Sequence, residues 1–127
     1  MRSFDGAMRQ IDNVVTDRGS KYAVSGGAVH DRASAAAFLA DLRRIKKLAK
    51  ATHNTWAVLF DDGGQLDPQK NDDGEGGAGS VILRMLEREG LTNHIVVVTR
   101  WYGGVKLGGD RFRHVAEAVR VYLSERG

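Results

Sequence analysis

The sequence predicts an α+β domain: a two-layer α/β sandwich with a four-stranded sheet and three helices, in the order β-β-α-β-α-β-α. Three observations carry this prediction. Two β-prone segments flank a tight turn at Asp17-Arg18-Gly19, where glycine supplies the positive φ that hairpin turns need. Two later segments read as strands: Asn54–Phe60, whose near-continuous apolar character is the pattern of a strand buried on both faces, and Asn93–Arg100, the strongest strand, centred on Ile95-Val96-Val97-Val98. Three further segments place apolar residues at helical spacing.

The first hairpin is expected over Arg9–Val15 and Ser20–Val29, with Gly26-Gly27 marking a bulge or an early end. A helix follows from about Ala33 to Lys50, capped by Asp31 or Ser34, with Phe38, Leu39, Leu42, Ile45 and Ala49 forming one stripe. Arg43, Arg44, Lys46, Lys47 and Lys50 crowd its last turns, where positive charge complements the helix dipole; such a run is ordinarily a solvated face. Asp61–Glu75 reads as a polar loop that holds the chain's one proline, Pro68. The second helix is expected over Gly77–Glu89, with Val81, Ile82, Met85 and Leu86 inward and Gly90 as its C-terminal stop. Asp110 should cap the last helix, whose stripe is Phe112, Val115, Ala116, Val119, Tyr122 and Leu123. One sheet with its helices on one face is the simplest way to bury three one-sided helices.

Composition bounds the function. A chain of 127 residues has the size of one domain. With 42% hydrophobic and 28% charged residues, it is globular rather than disordered. The absence of cysteine excludes disulfides, thiolate nucleophiles and cysteine metal sites. Met1–Gly6 show no apolar run of the signal-peptide kind, and no apolar stretch is long enough for a membrane span. The expected address is the cytoplasm. A net charge of +3 permits nucleic acid or an acidic protein as partner without requiring either.

Three segments hold the residue types of chemistry. Asn71–Gly79 sets Asp72, Asp73 and Glu75 before a glycine-rich helix entry. Backbone N–H groups there suit an anion, but the acids repel phosphate, and Ser80-Val81 stands where a phosphate loop needs Lys-Ser. Carboxylates suit a hard cation, yet calcium-loop spacing is absent; the plain alternative is that the acids cap the helix. Lys50–Asn54 offers His53 as a general base; the alternative is that His53 and Asn54 satisfy backbone groups at a helix-to-strand junction. Thr99–His114 gathers Arg100, Trp101, Tyr102, Gly103, Gly104, Lys106, Arg111 and His114. Aromatics with arginine and lysine serve either stacked bases and phosphates or a protein hot spot. Alternatively, the aromatics join the core and Arg100 pairs with Asp72 or Asp73.

Ala51-Thr52-His53-Asn54, Asp72-Asp73-Gly74-Glu75, Val96–Gly104 and Lys106-Leu107-Gly108 resemble the signature blocks of the IMPACT/YigZ family. Asp110–His114 is similar to the eukaryotic-type IMPACT branch, and Asp17–Tyr22 resembles the family's first hairpin. The resemblance runs from about Asp17 to Leu123. It implies a fold like the second domain of a small-subunit ribosomal protein, with a left-handed βαβ crossover, and a link to translational control. Eukaryotic members bind the activator of the kinase that phosphorylates initiation factor two. Residues 1–127 are expected to form a single such domain, without the RWD domain of IMPACT proteins or the C-terminal ferredoxin-like domain of YigZ proteins.

The expected function is regulatory binding. A protein or RNA of the translation apparatus would meet the two loops through His53, Asn54, Asp72, Asp73, Glu75, Arg100, Trp101, Tyr102, Gly103, Gly104, Lys106, Arg111 and His114. Two alternatives stand beside it: a His53–carboxylate hydrolase, with or without a metal, and a regulator that binds protein alone. No catalytic residue, metal ligand set or cofactor is assigned.

Overall fold

A computed structural model describes residues 7–126; Met1–Gly6, the segment without signal-like character, and Gly127 lie outside the described residues. Strands β1 (Arg9–Asp17) and β2 (Ser20–Ala28) form the expected hairpin. Its two-residue turn has positive φ at both Arg18 (48°) and Gly19 (87°), which matches the right-handed twist of the strands it joins. Helices α1 (Arg32–Arg44) and α2 (Lys46–Ala49) follow, then β3 (His53–Asp62), β4 (Gln65–Asn71), α3 (Ala78–Glu89), β5 (His94–Trp101) and α4 (Asp110–Glu125). All pairings are antiparallel, in the order β1-β2-β5-β3-β4.

The α+β open sheet stands as predicted, but the described residues form five strands and four helices. The fifth strand, β4, is the stretch read as a polar loop. It lies at the sheet edge, mostly exposed, so it carries no apolar alternation. Pro68 sits opposite Leu59, where an edge strand tolerates a residue without an N–H. The long first helix is interrupted at Ile45, whose backbone is extended (φ −75°, ψ 110°). The break shifts the helical phase, so Leu48 is buried in place of the expected Ala49. Asp31 and Ser34 both cap α1: the Asp31 carboxylate accepts from Ser34 N (2.7 Å), and Ser34 Oγ accepts from Asp31 N (3.1 Å). Asp110 is the first residue of α4 rather than its cap.

Gly26-Gly27 mark neither a bulge nor an end, since both keep regular register with Val96 and Ile95. They are small because neighbours press on them: a Cβ on Gly26 would lie 2.3 Å from the Tyr122 ring of α4, and one on Gly27 2.8 Å from the Ala7 carbonyl oxygen and 3.0 Å from Phe38 of α1. The irregularity falls in β1 instead, between Ile11 and Val15, where Asn13 has φ 53°.

The helices do not share one face. Tyr22, Val24, Ala57, Val96 and Val98 meet α3 and α4, while Val58, Phe60, Ile95 and Val97 meet α1 and α2. The two-layer expectation becomes three layers because β3 and β5 are apolar on both faces, and each face needs a cover. This placement also settles handedness. Strands β2 and β3 are parallel and joined through α1; β4 and β5 are parallel and joined through α3. A half turn about the sheet normal superimposes one crossover on the other, except that their helices cover opposite faces. The two crossovers are therefore of opposite hand, and one is left-handed against the usual preference.

At the far end of β5, His94 Nε2 lies 2.6 Å from the Tyr122 hydroxyl. Burial lowers the His94 pKa to about 4, so this contact joins two neutral groups. No helix among the described residues is long and apolar enough to cross a membrane.

Candidate functional site

Alternation along β5 decides which side chains can meet. Val98 faces α3 and α4, and Arg100, two residues on, faces the same way. Its guanidinium is buried and donates from one amino group to Glu75 Oε1 (2.8 Å) and Oε2 (3.2 Å), and from the other to Ser20 Oγ (3.2 Å). It also lies 5.7 Å from the Tyr22 ring and 5.6 Å from the Tyr102 ring, within range for cation–π attraction. Burial pushes the Tyr22 phenol up to about 12. Glu75 is buried as well and takes a further contact from Arg111 (3.3 Å). The acidic and basic turns thus come together, but the partner of Arg100 is Glu75, not Asp72 or Asp73.

The two aspartates hold backbone instead. Asp72 accepts from Gly77 N (2.9 Å) and Gly79 N (2.8 Å), satisfying free donors at the start of α3. The Gly77 bond leads in holding its carboxyl below the ordinary range, with Gly79 adding to it. Asp73 accepts from Asn54 N (2.7 Å). Asn54 is buried, donating to Leu48 O and accepting from Thr99 Oγ1 (2.7 Å). These contacts stitch the end of α2, β3 and β5 to the acidic turn.

His53 Nδ1 lies 2.8 Å from the Asp73 carbonyl, so Nδ1 carries the proton and donates. Its Nε2 is 3.8 Å from Glu75 Oε2, well inside the roughly 10 Å beyond which the hydrolase alternative loses its dyad. The hydroxyl bonded to Arg100 is that of Ser20, which has no solvent exposure and already receives Arg100 and Gly103 N. Among the described residues, no group of three or more His, Asp or Glu side chains could hold a metal.

Trp101 points to the opposite face. It packs against the cluster under α1 and α2, donates Nε1–H to Lys47 O (3.1 Å) and lies under the Lys47 ammonium. It therefore leaves the patch expected of it. Tyr102 stays outside, 47% exposed, its N–H donated to Thr52 Oγ1. Gly103 packs on the hairpin turn so closely that a Cβ would lie 2.0 Å from the Gly19 carbonyl carbon. Gly104, Val105 and Lys106 are exposed, and Leu107 returns to the core. His114 sits against the hairpin, its ring 5.5 Å from that of Tyr22, and donates Nε2–H to Asp17 (2.7 Å). Asp17 is held far below the usual carboxylate range by Arg18 first and His114 second.

Sequence reasoning missed Ser20, Asp17, Thr52 and Val105. The first two belong to the hairpin turn, and pairing of β2 with β5 brings that turn under the Gly103 loop. Their hairpin block was recognised in the sequence, but only that pairing shows that it meets the Gly103 loop.

An open antiparallel sheet with an acidic turn and an aromatic-basic turn bound together defines a small domain class. The profile of the Impact N-terminal domain matches residues 18–123, and the chain belongs to that family. It is 38% identical to protein IMPACT of Mus musculus over 114 residues, which span 88% of this chain and 36% of the relative. It is 36% identical to the IMPACT homolog of Saccharomyces cerevisiae over 115 residues, 89% of this chain and 45% of that protein. The chain thus spans less than half the length of these relatives. Among solved structures it is similar to the two-domain translational regulator Yih1 (TM-score 0.65, 33% identity), covering 100% of this chain and 49% of Yih1. A crystal structure described as a hypothetical protein is also similar (TM-score 0.75, 26% identity), covering 93% of this chain and 61% of that one.

Proposed function

We propose that this domain is a regulatory binding domain of the translation apparatus and that it takes a protein partner through the loop Tyr102–Lys106. Family membership and the likeness to the translational regulator Yih1 support the translational setting, and the cytoplasm is the address such a role requires. One observation carries the choice of surface. Tyr102 and Val105, 47% and 46% exposed, stand beside the exposed Lys106 on a loop whose base is braced by Ser20, Thr52 and the buried Arg100. An exposed tyrosine on a rigid base suits a protein hot spot, and Val105 beside it adds apolar area that a partner can bury. Stacked bases would use Tyr102 and leave Val105 idle.

A binding role rather than a catalytic one is favoured by how the polar groups are spent. Glu75 is occupied by two arginines, and Ser20 is sealed. Arg100, Asp72, Asp73, Asn54 and His114 then serve as the frame that shapes the loop.

The test is capture from lysate on the immobilised domain, with and without nuclease, comparing the parent with Tyr102→Ala/Val105→Ser/Lys106→Glu. Nuclease-resistant retention of translation proteins by the parent, lost in the variant, is the expected result. Retention that disappears with nuclease would transfer the role to RNA. Equal retention by both proteins would remove the loop from the interface.

A further inference from the structure

We propose a second docking surface, distinct from the Tyr102 loop: the outer groove between α3 and α4 receives an acidic amphipathic helix. The groove has a volume of about 630 Å³. Its floor is Val81, Met85 and Leu123, all only partly buried, and its rim carries Arg84, Arg88 and Arg120.

The spacing explains why the groove exists. Helix α3 buries Ala78, Ile82 and Leu86 against the sheet. Val81, Arg84, Met85 and Arg88 recur at helical intervals beside that stripe, and so form a second face. Helix α4 does the same: Val115, Val119 and Tyr122 go to the sheet, while Ala116, Arg120 and Leu123 turn to the groove. Two packed helices that each offer a second apolar stripe along a shared seam make the seat into which a third helix lays its apolar face.

Charge selects the occupant. Arg84 and Arg88 lie one turn apart on one face, a repulsive spacing, and neither has a carboxylate within ion-pair distance among the described residues. Arg120 reaches only Glu117, at 3.6 Å across an exposed helix surface. Against these three cations the groove sets one acid, Glu89. A helix with leucine-type anchors flanked by Asp or Glu would fill the floor and neutralise the rim at once. The groove begins six residues into α4, about 9 Å along the axis from its start beside the Tyr102 loop, so the two surfaces can be tested apart.

The probe is a synthetic helix of about 15 residues, roughly four turns, with leucine at i, i+3, i+4 and i+7 and glutamate on both flanks. It is titrated into ¹⁵N-labelled protein, with a lysine-flanked version and an oligo-uridine strand as separate arms. The expected result is amide shifts confined to Val81–Glu89 and Ala116–Ser124 with the acidic peptide alone, weakening with added salt. Arg84→Glu/Arg88→Glu on α3 and, independently, Arg120→Glu on α4 should each lower affinity, the double change by about ten-fold or more. Three outcomes would overturn the proposal: equal binding of acidic and basic peptides, shifts centred elsewhere, or oligo-uridine perturbing the same amides.

Discussion

The turn before α3 and the turn before α4 look alike in sequence, both glycine-rich and charged, yet they spend their charges differently. Asp72, Asp73 and Glu75 in the first are bound to Gly77, Gly79, Asn54, Arg100 and Arg111. In the second, Arg100 is bound in the same way, but Tyr102, Val105 and Lys106 remain at the surface. A run of charged residues in a motif is therefore no guide to its availability. The first turn is a frame and the second is what the frame holds out.

The largest effect that would break this comparison comes from Glu75. Glu75→Ala leaves Arg100 buried without its carboxylate, a loss of about 3–5 kcal/mol for a broken buried pair, read from urea denaturation. Glu75→Leu/Arg100→Met should recover most of it, since a well-packed apolar pair can replace a buried ion pair. A loss below about 1 kcal/mol in the single variant, the size of a surface pair, would mean that the cluster is not the frame.

Gly103→Ala is next. Its Cβ has no room above Gly19, and overpacking of this kind costs about 1–3 kcal/mol. Gly76→Ala, where nothing lies within 4 Å, should stay within about 0.5 kcal/mol. Thermal denaturation of the pair sharpens the claim that only the second turn leans on the hairpin.

Asp72→Asn follows, at about 1 kcal/mol near neutral pH for a weakened helix cap. The folded Asp72 pKa is depressed, so its stabilisation is present above the ordinary carboxylate pKa and is lost as pH falls through the folded value. The gap between parent and variant should close in acid, and a gap that is constant with pH would assign the effect to shape rather than charge. The smallest effect on stability belongs to Tyr102→Ala, within about 0.5 kcal/mol for an exposed residue, read from the same thermal denaturation.

Much of the fold was legible. The hairpin, α1, α3, β5 and α4 each carry a strong apolar period or a turn signal, and the family's motif blocks located both turns. Strand β4 was illegible because an exposed edge strand buries too little to need alternation, and Pro68 reads as a loop signal. The break at Ile45 has no glycine or proline to announce it. The site was legible in membership and partly illegible in direction: nothing local shows that Arg100 turns inward while Tyr102 turns out, whereas the opposite face of Trp101 follows from alternation once β5 runs one residue past its expected end.

By itself the sequence determined which segments are helix and strand wherever one face is clearly apolar, because that periodicity is a local property of the chain. It also determined the family, because the motif blocks stand in order along it. Only the tertiary structure decided the number of layers and the pairing of Arg100 with Glu75 across 25 residues. Each of those depends on which strands become neighbours, a choice made by burial over the whole sheet rather than by any residue's immediate sequence.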